Sequence, residues 1–139
     1  MSQKKAGRGI GFDGSKALSR LTNKLISKLG IRNASADVFL LSGAEMRRVK
    51  QRYTGKPAPR VVDVLSFPEP KRFPRPKGAK KTLGEVYINE AIARRDGSRA
   101  AYLLVHGILH LLGYTHDRKS DTLRMEKKER ELLAKISNY

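Results

Sequence analysis

His106-Gly107-Ile108-Leu109-His110-Leu111-Leu112-Gly113-Tyr114-Thr115-His116 is the stretch on which the reading of this chain turns. Two histidines four residues apart lie one turn apart on the same face of an α-helix, so both imidazoles reach a common point. Gly113 stands where a helix closes on a left-handed residue, and a glycine there lets the backbone turn sharply. The turn brings His116 back to the pair. Three neutral imidazoles with one position left open are the donor set of a catalytic zinc site, whereas closed structural sites use four protein ligands. The chain has no other histidine. Histidines satisfied singly in a core would not gather in one short motif.

Length and composition set the frame around that motif. The 139 residues predict one domain, 1–139, large enough to bury a core, with 1–14 as a flexible basic N-terminal arm. The absence of cysteine excludes disulfides and thiolate metal sites and agrees with a reducing cytoplasm. Residues 1–11 are polar and basic, with no apolar segment of the kind a secretory signal needs. Residues 100–112 are the most apolar stretch, but they carry two histidines and are too short to span a bilayer. A soluble, cytoplasmic protein without membrane contact is expected. The formal net charge of +17 points to a polyanionic partner, and nucleic acid is the commonest one inside cells. A membrane surface is disfavoured by the lack of a long basic amphipathic helix with aromatic anchors.

In chain order, residues 15–29 read as a helix with Leu18, Leu21, Leu25 and Leu29 as its apolar stripe and Gly30 as its stop. Residues 36–41 read as a strand. Ser42-Gly43-Ala44-Glu45 is a capping box opening a second helix, with Met46, Val49 and Tyr53 on one side and Arg47, Arg48, Lys50 and Arg52 largely on the other. Residues 61–67 are β-branched and apolar, a strand covered on both faces. The basic, proline-rich segment 68–81, with Phe73 as its one aromatic, reads as a loop outside any ladder. It would grip phosphates beside a polyanion cleft, or else be a plain solvated connection. Residues 83–89 alternate as a third strand. A short helix follows Glu90 and breaks at Asp96-Gly97. Ser98 then caps a helix through Leu112 that is apolar on nearly every side and so lies at the centre. Residues 121–136 close the chain as a helix with Met125, Leu132, Leu133 and Ile136 inward. The expected class is α+β (mixed α/β): a small mixed sheet packed with helices around a central histidine-bearing helix, with a zincin-like metal site.

The histidine spacing follows the H-E-x-x-H-x-x-G-x-x-H pattern of zinc proteases except at one position. Where those enzymes carry their general-base glutamate, this chain has Gly107, which takes no proton. A bound zinc ion would still supply hydroxide and polarise an oxygen, which suits phosphodiester hydrolysis with cations stabilising the transition state.

The string from His106 to His116 resembles the signature of the YbeY family, bacterial endoribonucleases of ribosomal RNA maturation. Asp63-Val64-Leu65-Ser66-Phe67-Pro68 and Leu83-Gly84-Glu85-Val86-Tyr87-Ile88 are similar to that family's other hallmark strands, and Met125-Glu126 also fits. The resemblance covers the chain from about the second strand to the C-terminus. It implies a single-strand-specific, zinc-dependent endoribonuclease acting on the 3′ end of small-subunit (16S) rRNA and in 70S ribosome quality control. It further implies one Zn2+ held by His106, His110 and His116. The implied partners are single-stranded RNA, the small-subunit rRNA and the ribosome, with ribosomal or assembly proteins beside them.

Three positions depart from the family pattern. Thr115 replaces an aspartate, although Asp117 follows His116. Glu85 replaces an aspartate after the glycine. Tyr53-Thr54-Gly55-Lys56 places Thr54 where the family has an arginine, leaving Lys56 and Arg60 as candidate phosphate-binding cations. Asp117 and Glu85 are the candidates for general base or for hydrogen-bond partner of a ligand imidazole. The bland alternatives are that Asp117 caps a turn and Glu85 faces solvent. Two further functions compete with the nuclease: a non-catalytic ribosome-assembly or rRNA-binding factor with a structural metal, and a metallopeptidase, which Gly107 disfavours.

Overall fold

The structure, a computed structural model, describes residues 14–70 and 77–136. The basic arm expected over 1–14 therefore lies, apart from Gly14, outside the described residues, as do 71–76 of the proline-rich segment with Phe73. In order, the elements are α1 (Gly14–Lys28), β1 (Ala34–Leu41), α2 (Gly43–Thr54), β2 (Val64–Pro68), β3 (Lys81–Asn89), α3 (Glu90–Arg95), α4 (Gly97–Leu111) and α5 (Lys119–Ile136). The three strands form a mixed sheet in the order β1-β3-β2, with β1 parallel and β2 antiparallel to β3. The α+β class expected from the sequence is the one observed. No described helix is long and apolar enough to cross a membrane.

Strand alternation decides what each face of the sheet carries. Val86 and Ile88 of β3 point to the face covered by α4, and there they join Leu104, Val105, Ile108 and Leu109, all with no solvent exposure. Leu25 and Ile26 of α1 and Met125, Leu132 and Ile136 of α5 close the same core from the other side. The near-uniform apolarity of α4 is thus explained by neighbours on most of its sides. Tyr87 points to the opposite face, where Met46 of α2 builds a smaller cluster with Val62 and Leu65. The capping box is present, with the Ser42 hydroxyl accepting from the Glu45 amide and the Glu45 carboxylate accepting from the Ser42 amide, both at 3.1 Å.

Several local expectations are corrected. The strand expected over 61–67 begins only at Val64 and lies at the sheet edge, with α4 against one face through Ser66 and α2 against the other through Leu65; Val61 is 61% exposed. Residues 62 and 63 are instead tied to the end of β3, where the Asn89 side chain donates to the Val62 carbonyl and the Asn89 amide to that of Asp63. Pro68 closes β2 opposite Gly84, a position at the end of an edge strand where its missing N–H costs no ladder bond. Asp96, not Ser98, caps α4: its Oδ1 accepts from the Arg99 amide at 3.1 Å, so the helix starts at Gly97. The buried face of α1 is rotated toward Thr22 and Ile26, leaving Leu21 and Leu29 half-buried. Thr22 tolerates burial because its hydroxyl donates to the Leu18 carbonyl at 2.7 Å.

Candidate metal centre

The C-terminal end of α4 builds the site. Beyond Leu111 the Gly113 amide bonds the His110 carbonyl and the Tyr114 amide bonds that of Leu109, the paired closure of a Schellman turn, with Gly113 at φ +100°. This turn folds the chain back over the last helical face. His106, His110 and His116 each offer a ligand atom, and these atoms all lie within 4.8 Å of one another. The Nε2 atoms of His106 and His110 are 3.1 Å apart, and the His116 ring lies 5.2 Å from each of the other two by centroids. These three residues can therefore hold a metal ion.

The hydrogen bonds on the far side of two rings decide their tautomers. His110 Nδ1 lies 2.8 Å from the Tyr114 carbonyl oxygen, which can only accept, so this nitrogen carries the proton. His106 Nδ1 lies 2.6 Å from Oε2 of Glu129, a residue 5% exposed on α5, and donates to it. In the neutral rings the two Nε2 atoms carry lone pairs, which then face one another across 3.1 Å. Two lone pairs at that range repel unless a cation sits between them. Burial, and next the neighbouring His106, hold the His110 pKa below its ordinary 6.5, which keeps its lone pair available. The donor set fits a divalent ion that favours imidazole, with the carboxylate–histidine pairing common behind such ligands.

Glu129 was not foreseen from the sequence. Its trace there is a charged residue at a core position of the stripe Met125, Glu129, Leu132, Ile136. The Glu129→Ala protein is expected to bind zinc about 10- to 100-fold more weakly, with Glu129→Gln recovering part of that loss because it keeps an acceptor. A competition titration against a chromogenic chelator reads both. The lowered pKa of His110 also has a stability consequence. Above pH 6.5 its contribution is intact; below it the unfolded chain takes up a proton that the folded one resists, so stability falls toward the lowered folded value. Urea midpoints of the metal-free protein at about pH 7.5 and about pH 5.5 should show that decline, and His110→Gln should lessen it.

The other candidates fall elsewhere. Glu85 shares a strand face with Tyr87, whose hydroxyl donates to Glu85 Oε1 at 2.7 Å, on the side of the sheet opposite α4. Burial, followed by this carboxylate, pushes Tyr87 up to about 12. The sheet thus stands between Glu85 and the histidines. Lys56 and Arg60 are exposed on the connection leading into Asp63. Asp63 meets Arg99 in the first turn of α4, whereas Ser66 meets Gly107 and Pro68 and Leu111 both approach Gly84. Lys56 and Arg60 thus precede the strand end beside the start of α4, and the histidines occupy its other half. Asp117 is exposed directly after His116.

Gly107 has a packing role. A Cβ there would lie 2.7 Å from Cγ1 of Val86 and 3.1 Å from Oγ of Ser66. The Ser66 hydroxyl donates to the Gly107 carbonyl at 3.1 Å, so the two most distinctive strings of the sequence interlock at this contact. Position 107 faces the sheet, and a protease-like glutamate has no room there.

Comparison with known proteins gives a consistent result. Residues 5–137 match the family described as Endoribonuclease YbeY. Similar proteins of that name occur in Aquifex aeolicus, 36% identical over 81% of this chain and 77% of the relative, and in Geobacter metallireducens, 33% identical over 87% and 85%. The protein of that name from Anaeromyxobacter dehalogenans is 37% identical over 86% of this chain, which spans 65% of that relative's length. The solution structure of TM1509 from Thermotoga maritima matches with a TM-score of 0.51 and 27% identity, over 91% of this chain and 88% of that one.

Proposed function

This chain belongs to the YbeY family of endoribonucleases, and from that premise we propose that it cuts single-stranded RNA with one zinc ion held by His106, His110 and His116. The observation that carries this reading is the Nε2 atoms of His106 and His110 opposed at 3.1 Å, with each ring's Nδ1 turned to Glu129 or the Tyr114 carbonyl and His116 closing over them. When bound, zinc supplies a hydroxide nucleophile at neutral pH and polarises a phosphoryl oxygen.

The chain's own residues do the rest. Glu129 and the Tyr114 carbonyl fix two ring orientations before substrate arrives, so no reorganisation is needed at the reaction. Asp117, exposed beside His116, is the candidate for proton transfer. The net charge of +17 draws an RNA backbone to the protein and makes binding fall with salt. Gly107 leaves the peptidase arrangement without its base and, being packed against Val86, without space for one. The substrate in this reading is small-subunit rRNA near its 3′ end, met in the cytoplasm on the ribosome, where the enzyme serves maturation and quality control.

The test is cleavage of a small-subunit rRNA precursor and of a matched duplex by metal-loaded protein, with casein as a peptidase control. Cutting confined to single strands, abolished by chelator and restored by zinc, is expected. Metal-loaded protein that leaves the precursor intact overturns the proposal.

A further inference from the structure

The histidine face of α4 continues past the metal centre. Positions 99, 102, 106 and 110 stand three, four and four residues apart, so their side chains follow one another along one side of the helix. Contacts between them are observed: the Arg99 guanidinium lies 5.2 Å over the Tyr102 ring, and the Tyr102 and His106 rings lie 5.8 Å apart by centroids with a 31° tilt. Neither Arg99 nor Tyr102 is needed to hold a metal. We propose that they form the track for the RNA strand: Arg99 swings off the Tyr102 ring to hold a phosphate, and the ring face it uncovers stacks on a base beside the bond that is cut. This rests on the endoribonuclease reading of the histidine centre.

Four features support it. First, Tyr102 is half-buried at the core's edge, and its hydroxyl makes no hydrogen bond among the described residues. Second, Arg99 is anchored at one end only: one terminal nitrogen lies 3.2 Å from Oδ2 of Asp63, whose Oδ1 accepts from the Val64 amide at 2.8 Å. A guanidinium has five donors, so most remain for a phosphate after that bond. Third, four and seven residues of helix place Tyr102 and Arg99 ~6 Å and ~10 Å along the axis from His106. That is the scale of successive nucleotide steps in an extended strand. Fourth, Arg99 is the cation carried on the histidine face itself, whereas Lys56 and Arg60 lie on the connection leading into Asp63. Stacking on Tyr102 accepts any base whose face is free, which selects unpaired RNA without reading its sequence.

A fluorescent single-stranded oligoribonucleotide and its duplex test the track, with zinc-loaded wild type, Tyr102→Ala, Tyr102→Phe and Arg99→Ala. Anisotropy gives Kd, and cleavage gives KM and kcat. Tyr102→Ala should raise Kd and KM for the single strand about tenfold, with the loss falling on KM more than kcat; Tyr102→Phe should recover most of it. Arg99→Ala should weaken binding and lower the slope of log affinity against log salt by about 0.7. Native melting with wild-type Kd and KM in Tyr102→Ala overturns the track and leaves the nuclease reading standing. A wild type that binds but does not cut, with binding lost in Tyr102→Ala, does the reverse, and one that neither binds nor cuts overturns both. If Tyr102→Ala fails to fold, the exposed Arg99 decides: an unchanged salt slope in Arg99→Ala overturns the track.

Discussion

The His116→Ala protein is expected to fold like wild type, retain well under one zinc ion per chain, and cleave single-stranded RNA at least ~100-fold more slowly. His116 is exposed and meets the rings of His106 and His110 without a hydrogen bond among the described residues, so its loss strands no buried partner. His106 and His110 keep Glu129 and the Tyr114 carbonyl as before. Removing a partner behind a ligand costs about 10- to 100-fold, and removing a ligand costs more than that. His106→Ala is the less useful variant, since it leaves the Glu129 carboxylate buried and unpaired and confounds folding with metal binding. Metal analysis, thermal melting and single-turnover cleavage on the same preparation separate the effects. Wild-type activity in His116→Ala would remove the third ligand from the account.

Gly84→Ala should destabilise the fold by about 3 kcal/mol or more and weaken zinc binding with it. Gly84 has φ +141°, a conformation that side chains rarely adopt. A Cβ there would lie 2.3 Å from the Phe67 carbonyl oxygen, 2.8 Å from the Pro68 Cα and 2.9 Å from a Leu111 methyl. Two of these atoms are backbone and cannot swing aside, so β2 would have to leave β3 or the end of α4 would have to lift. Leu111 adjoins His110, which is why the metal site should feel the change. Urea midpoints compare the variants, and an unshifted midpoint would mean that β2, β3 and α4 are not locked together here.

Much of this was legible in the sequence because its signals are local. The spacing of His106 and His110 and the turn at Gly113 are set within a few residues, and the hydrogen bonds around Gly113 follow from that. The capping box at Ser42 is equally local. What escaped depends on partners distant along the chain. Glu129 reaches His106 across 23 residues, and only the docking of α5 on α4 brings them together. Alternation along β3 separates Glu85 from Val86, but only the sheet order and the helix covering each face reveal which of them meets the histidine helix. Apolarity marks 61–67 as a strand without distinguishing an edge from a centre, because Leu65 is buried by α2 and not by a second strand. Asp96 and Ser98 are both good caps, and Asp96 prevails because it ends α3 and opens α4 at once.

The most direct measurement is X-ray absorption at the zinc edge of the zinc-loaded protein. Three imidazole nitrogens at about 2.0–2.1 Å and one further light ligand are expected, reduced to two imidazoles in His116→Ala. A wild-type spectrum with fewer than three imidazoles, or zinc bound equally well when all three histidines are replaced, would contradict the account.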